Sequence, residues 1–262
     1  MRIHTYGDPK DPVVLLIHPM LITGEQVYEH FGKKLPGKYC FITTDQAGHG
    51  EDTSVFTPRK DALELKQLLQ NQGIKEVELL YAASMGGLTA MPLLSLGELK
   101  YKTVHLDGIP LGKSKGIKRL LSIIGYLAAR KKAVADPSSL FKTLSPVYGD
   151  ELGMSMAKQM GRLSAKNVVR IIKACLNGCG VPVDPAVCGS LTFEWGDMEV
   201  NRINGEPLAK RLYPWSKVLI IQNSRHCERL GKESESLALE IRKEMDSWDK
   251  RPASKGETLV QE

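Results

Sequence analysis

A serine between small residues, at the end of an apolar run, constrains the fold of this chain more than any other feature. Residues 77–81 form a short β-rich run, and residues 86–99 have helical composition. A strand that turns sharply into a helix strains its turn residue, so the residues two positions away must be small. Ala82 and Gly86 meet this requirement around Ser84. The pattern predicts an exposed, nucleophilic Ser84 hydroxyl, although an ordinary strand–helix junction capped by Ser84 fits the same residues.

Short apolar runs alternate with helical segments along most of the chain. This rhythm predicts an α/β fold with a mostly parallel, twisted sheet flanked by helices. The predicted buried strands are residues 13–17, 39–44, 77–82, 103–106, 191–195 and 218–222, and the predicted helices are residues 24–35, 58–72, 86–99 and 230–248. Residues 3–5, with a turn at 7–12, predict an antiparallel edge hairpin with the first buried strand.

The interval from residue 110 to 189 breaks the rhythm, because it lacks a strong strand but contains several helical stretches, among them 149–162 and 166–176. One further stretch places apolar side chains on a single helical face: Ile117, Leu120, Leu121, Ile124 and Leu127. We expect a helical cap inserted between strands, over the strand ends where open α/β sheets bind ligands. A peripheral helical bulge is the alternative. The expected domains are a core of residues 1–109 and 190–250, a cap of residues 110–189, and a disordered tail of residues 251–262.

Composition excludes several classes of function. The chain has 262 residues, no apolar run that could span a bilayer and no signal-like start, so we expect a cytoplasmic protein without stable membrane insertion. The five cysteines lack metal-site spacing, and we expect free thiols and no metal or organic cofactor. The formal net charge is +6, but the basic cluster lacks interleaved aromatics, so we expect no nucleic-acid partner. That cluster is Lys113, Lys115, Lys118, Arg119, Arg130, Lys131 and Lys132. The expected partner is a small-molecule substrate, and a homodimer is compatible with the sequence.

Two later predicted strands are each followed by a residue that could act with Ser84, one as a base and one as an acid. A serine hydroxyl becomes nucleophilic when a base removes its proton, and the base works best when a carboxylate orients it. His226 lies in the loop after residues 218–222, which should open on the same sheet edge as Ser84. Glu199 is the preferred acid, because it lies far enough beyond its strand for the loop to turn back. Asp197 and Asp107 remain alternatives for that role.

Acyl transfer also needs hydrogen-bond donors for the oxyanion. The Met85 amide, directly after the serine, is one candidate donor. The second should lie in the loop after the first buried strand. Pro19 in that loop has no N–H, so the Met20 amide is the candidate there.

Together these motifs resemble the α/β-hydrolase family over nearly the whole chain. They are the serine turn, Leu-Ile-His-Pro-Met at 16–20, Asp-Gln-Ala-Gly-His-Gly at 45–50, Gly196 with Glu199, and His-Cys-Glu at 226–228. The chain departs from the family pattern at Pro19 and Ala82, where glycine is common. The resemblance implies a serine hydrolase that cleaves a small ester, thioester or lactone through an acyl-enzyme. Acyl transfer, C–C hydrolysis or lyase chemistry, and a non-catalytic small-molecule receptor are the alternatives on this fold.

Overall fold

Seven strands form one sheet in the computed structural model, which describes residues 1–114 and 116–249. The strand order is β1-β3-β2-β4-β5-β6-β7, and every neighbouring pair is parallel except β1 with β3. The predicted α/β architecture is therefore confirmed. The tail predicted at residues 251–262 lies outside the described residues. The strands are β1 Arg2–Tyr6, β2 Val13–Ile17, β3 Cys40–Asp45, β4 Glu76–Ala83, β5 Lys100–Asp107, β6 Cys188–Gly196 and β7 Lys217–Ile221.

The predicted pairing of the first strand was wrong. Strand β1 is an antiparallel edge strand, but its partner is β3, with Arg2 opposite Asp45 and Tyr6 opposite Phe41. A hairpin with β2 would require the two strands to be neighbours, whereas β3 lies between them. The connection at residues 7–12 is long enough to cross two strand spacings, roughly 10 Å.

The helices match most of the predicted segments, with different ends. The expected helix at 24–35 ends at His30 and continues as a 3₁₀ turn at Gly32–Lys34, and the expected helix at 230–248 is two helices separated at Glu233. The helices are α1 Gly24–His30, α2 Pro58–Asn71, α3 Gly86–Ser95, α4 Lys118–Ala135, α5 Pro137–Tyr148, α6 Asp150–Arg162, α7 Ala165–Asn177, α8 Val200–Leu212, α9 Glu228–Lys232 and α10 Ser234–Asp249.

Two helices were absent from the sequence prediction, and each contains an internal proline. Pro146 lies inside α5 and Pro207 inside α8. A proline removes one backbone hydrogen-bond donor and normally ends a helix, which masks the helical pattern around it. In both helices the rest of the segment continues through the proline.

The hydrophobic core follows the central strands. The side chains of β2 from Val14 to Ile17 and of β4 from Leu79 to Ala83 are fully buried. Such nearly continuous apolar strands are typical of a parallel sheet covered by helices. Trp195 is also fully buried and donates from Nε1 to the Ile109 carbonyl at 3.1 Å, so it belongs to the core.

Helices α4 to α7, residues 118–177, form a helical insertion between β5 and β6. The insertion contacts segments that follow the carboxyl ends of β2, β3 and β7. Gln26 in α1 donates to the Ser155 hydroxyl of α6. The Asn167 amide nitrogen in α7 donates to the Ser54 carbonyl at 2.9 Å, and the Tyr148 hydroxyl at the end of α5 donates to the His226 carbonyl at 2.9 Å.

The apolar face predicted for the first helix of the insertion is largely exposed. Ile117, Leu120, Leu121 and Ile124 are between 54% and 73% exposed, while Leu127 is partly buried. This face therefore lies largely in contact with solvent. No helix within residues 1–114 and 116–249 is both long and apolar enough to cross a membrane.

Candidate active site

Ser84 occupies a strained turn between β4 and α3. Its φ of +48° is a left-handed conformation, which is unusual for a residue other than glycine. The turn is held by hydrogen bonds from the Ser84 amide to the Asp107 carbonyl at 2.7 Å and from the Gly87 amide to the Ser84 carbonyl at 3.0 Å. A β-carbon at Gly86 would lie 2.4 Å from the Ile17 carbonyl oxygen, so the turn requires glycine there. The sequence anticipated this geometry from its small residues.

His226 reaches Ser84 from the loop after β7. Its Nε2 atom lies 2.7 Å from the Ser84 hydroxyl oxygen. The loop passes close to Gly108, whose φ is +62° and whose added β-carbon would lie 3.0 Å from the imidazole and 2.8 Å from the Cys227 sulfur. The imidazole is 37% exposed, so a substrate can approach it from solvent.

Of the three candidate acids, Glu199 contacts the histidine. Its Oε2 atom lies 2.7 Å from His226 Nδ1, and its Oε1 atom accepts a hydrogen bond from the Gly196 amide at 2.8 Å. Asp197 instead accepts from the Ser224 amide at 3.2 Å. Asp107 accepts from the Tyr81 hydroxyl at 3.0 Å. The structure thus gives Asp197 and Asp107 other partners.

The hydrogen bonds around His226 define its proton positions. A carboxylate only accepts, so Nδ1 carries a proton toward Glu199, and Nε2 of the neutral ring can accept the proton of Ser84. Burial alone would lower the His226 pKa, because it disfavours the charged imidazolium. The hydrogen bond and charge of Glu199, with the charge of Asp107, outweigh that effect and raise the His226 pKa above its ordinary value of 6.5.

The two amides predicted as oxyanion donors lie in the serine turn and in the loop after β2. Within the described part of the chain, neither the Met20 amide nor the Met85 amide has a hydrogen-bond acceptor. Met85 directly follows Ser84, and Met20 precedes Leu21, whose φ of +77° turns the loop sharply. Amides without an acceptor in the protein are free to donate to an anion, as the sequence-based prediction requires of these two.

Two buried histidines hold the Met20 loop. His18 donates from Nδ1 to the Pro19 carbonyl at 2.7 Å and accepts the Gln46 amide on Nε2 at 3.0 Å. His49 accepts the Leu21 amide on Nε2 at 3.3 Å. Burial lowers the His18 pKa to about 4 and the His49 pKa to about 3, so both rings are neutral and can accept these bonds.

Some residues of the site carried no clear signal in the sequence. Gly108 follows an aspartate at a strand end, a pair that is common in turns, and nothing local connects it with His226. Tyr148 belongs to α5, which was itself not predicted. Arg229 anchors the start of α9 through Nη1, which lies 3.2 Å from each carboxylate oxygen of the buried Glu194. The described residues contain no group of three or more histidines, cysteines or acids that could hold a metal ion.

Comparisons with known proteins support the fold. No family model matches the chain. A 3-hydroxybutyrate-oligomer hydrolase from Cupriavidus necator is 25% identical over 156 residues, which are 57% of this chain and 52% of that protein. The chain thus matches about half the length of this curated relative.

Three solved structures superpose over nearly the whole chain. A protein assigned to the alpha/beta hydrolase family from Desulfitobacterium hafniense has a TM-score of 0.72 and 20% identity, covering 93% of this chain and 100% of that one. A thermophilic esterase from Thermogutta terrifontis has a TM-score of 0.71 and 15% identity, with 94% and 93% covered. A carboxylesterase from Bacillus subtilis has a TM-score of 0.67 and 14% identity, with 91% and 85% covered. The sheet order and these matches establish that the chain has the α/β-hydrolase fold that its sequence resembles.

Proposed function

We propose that this protein is a serine hydrolase that cleaves a small-molecule carboxylic ester, thioester or lactone. One observation carries the proposal. The Ser84 hydroxyl, the His226 imidazole and the Glu199 carboxylate form a continuous chain with two contacts of 2.7 Å. Hydrogen-bonded groups of these three types, with the serine partly buried in a strained turn, fit the requirements for nucleophilic acyl transfer.

In the proposed reaction, Ser84 Oγ attacks the carbonyl carbon of the ester while its proton passes to His226 Nε2. The Met85 and Met20 amides donate to the oxyanion of the tetrahedral intermediate. As the intermediate collapses, the bond to the alkoxide or thiolate breaks, and His226 gives its proton to that leaving group. Water then loses a proton to His226 and attacks the acyl-enzyme, which releases the carboxylic acid and restores Ser84. Glu199 stabilises the imidazolium in both steps.

The relatives favour ester substrates. The structures that superpose include an esterase and a carboxylesterase, and the curated relative is described as a hydrolase of 3-hydroxybutyrate oligomers. These likenesses support ester hydrolysis as the reaction class. Thioesters and lactones remain possible substrates in this proposal, because the same three groups can act on their carbonyl carbons.

The helical insertion is the proposed cap of this site. Its contacts with the segments after β2, β3 and β7 support that position, because the site lies at the same sheet edge. The hydrogen bond from Tyr148 to the His226 carbonyl joins the cap directly to the histidine loop. The proposal assigns residues 110–189 to the cap and residues 1–109 and 190–250 to the core.

Turnover of p-nitrophenyl esters of increasing chain length, with lactones alongside, tests the proposed function. Purified protein should hydrolyse at least one of them, and Ser84→Ala should abolish that activity. Ser95→Ala, at the other end of α3, is the matched control and should retain it. Turnover that appears only with an added alcohol or amine would favour acyl transfer over hydrolysis, and absence of both reactions would favour a receptor.

A further inference from the structure

A cavity lies apart from the proposed catalytic groups. It has a volume of about 450 Å³, within the range typical of small-molecule sites, and lies between α2, α3 and the end of α7. Its described lining includes none of Ser84, His226 or Glu199. We call this cavity the α2–α3 pocket.

The walls of the α2–α3 pocket are mainly aliphatic. Three of the lining residues, Leu88, Pro92 and Leu96, recur every four residues and so form one stripe along α3 and its C-cap. From Leu88 to Leu96 the stripe advances by eight steps along the chain, or about 12 Å along the helix axis. Ala62 of α2 and Ala174 of α7 contribute to the other walls. An apolar cleft of this length favours an extended aliphatic chain, because filling it removes apolar surface from water.

One cation lies at this cleft. Arg59 is the charged residue among the described lining residues, none of which is acidic. It is exposed and takes part in no ion pair within the described part of the chain. It also lies in the first turn of α2, where the helix dipole disfavours a cation, so helix stability does not explain its position. A guanidinium in this setting matches a carboxylate, which it can bind through two parallel hydrogen bonds.

We propose that the α2–α3 pocket binds a short- to medium-chain aliphatic carboxylate, with its chain along the α3 stripe and its head group on Arg59. The inference goes beyond the proposed function and does not depend on it, since the pocket uses none of the three catalytic groups. The ligand class is defined by the aliphatic walls and the Arg59 guanidinium, which has no ion-pair partner among residues 1–114 and 116–249.

Titration calorimetry with octanoate tests this assignment. The protein carries Ser84→Ala in every experiment, so that binding is measured without turnover. Octanoate should bind with one-to-one stoichiometry, and Arg59→Gln should weaken binding about tenfold, as expected for the loss of one charged hydrogen-bonded contact. Lys60→Gln, which removes the neighbouring exposed cation of α2, is the matched control and should leave the Kd within about twofold.

Two further measurements locate the ligand and identify the recognised group. Octanamide has the same chain length and no charge. It should bind the protein that retains Arg59 about as weakly as octanoate binds the Arg59→Gln variant. Ala174→Phe, which fills the pocket, should abolish binding of both ligands, with its fold checked by circular dichroism. Absence of octanoate binding at millimolar concentration, or binding that Arg59→Gln leaves unchanged, would overturn the assignment. Either result is independent of whether the Ser84 protein hydrolyses esters.

Discussion

Replacing Glu199 by glutamine separates the charge of the proposed triad acid from its shape. The carboxylate accepts from the Gly196 amide on Oε1 and contacts His226 Nδ1 through Oε2. Glutamine has one acceptor oxygen and one amide group in nearly the same volume, so it can reproduce only one of these contacts. We expect the folded structure to persist and the activity to fall steeply.

Both orientations of the new amide are unfavourable for catalysis. If its oxygen accepts from Gly196, its NH₂ group faces His226 Nδ1 and selects the tautomer with a proton on Nε2, which cannot accept the proton of Ser84. If it is reversed, the buried Gly196 amide faces another donor, at a cost of about 1–3 kcal/mol. The imidazolium also loses a counter-charge, which is worth about 4 kcal/mol for unit charges 4 Å apart at an effective dielectric constant of 20. The sum corresponds to a loss of kcat on the order of 10⁴, similar to other triads in which the acid becomes an amide.

The assay is kcat and KM on the best p-nitrophenyl ester, with Asp197→Asn as the matched control. Asp197 contacts the Ser224 amide, so its variant should lose less than about threefold in kcat.

The pH profile of activity tests the role of Glu199 independently. Because Glu199 raises the His226 pKa above 6.5 and the neutral ring is the base, wild-type activity should decline as the pH falls through that raised value. The decline should move to lower pH in Glu199→Gln. Activity within tenfold of wild type, or a larger loss in Asp197→Asn, would refute this assignment.

Three further outcomes follow from residues around the site. Gly108→Ala should lower both kcat and the melting temperature, because its β-carbon would lie 2.8 Å from the Cys227 sulfur and 3.0 Å from the His226 ring; kinetics and calorimetry check this. Asp107→Asn should raise the melting temperature more at about pH 8 than at about pH 4. Burial, with the charge of Glu194, raises the Asp107 pKa from 3.8 to about 7, so the stability that the protonated carboxyl provides is lost as the pH rises through 7. A gain in melting temperature that is equal at both pH values would contradict this. The Cys227 thiol should resist iodoacetamide in the folded protein, because burial raises its pKa well above the usual value, and peptide mass spectrometry would detect any modification.

The sequence predicted the parts of the fold that local pattern determines. Strands β2 and β4 were recognisable because buried parallel strands are apolar almost throughout. The partner of β1 was not, since pairing depends on where a connection crosses the sheet. Helices α5 and α8 were missed because Pro146 and Pro207 interrupt their patterns.

In the candidate site, too, the sequence predicted the residues that follow strands but not the arrangement of the loops. Ser84 and His226 could be placed together because both follow parallel strands, whose carboxyl ends share one edge of the sheet. The choice of acid depended on a loop, in which Glu199 turns back to accept the Gly196 amide while Asp197 turns toward Ser224. The exposure of the α4 face likewise depends on how the helices of the insertion pack, which its own periodicity does not specify.

The proposed nucleophilic role of Ser84 is tested by identifying the residue that a fluorophosphonate modifies. We expect stoichiometric phosphonylation of Ser84, located by peptide mass spectrometry, with parallel loss of ester hydrolysis and no labelling in Ser84→Ala. An adduct on another residue that accompanies the loss of activity, or hydrolysis that continues after Ser84 is fully modified, would contradict it.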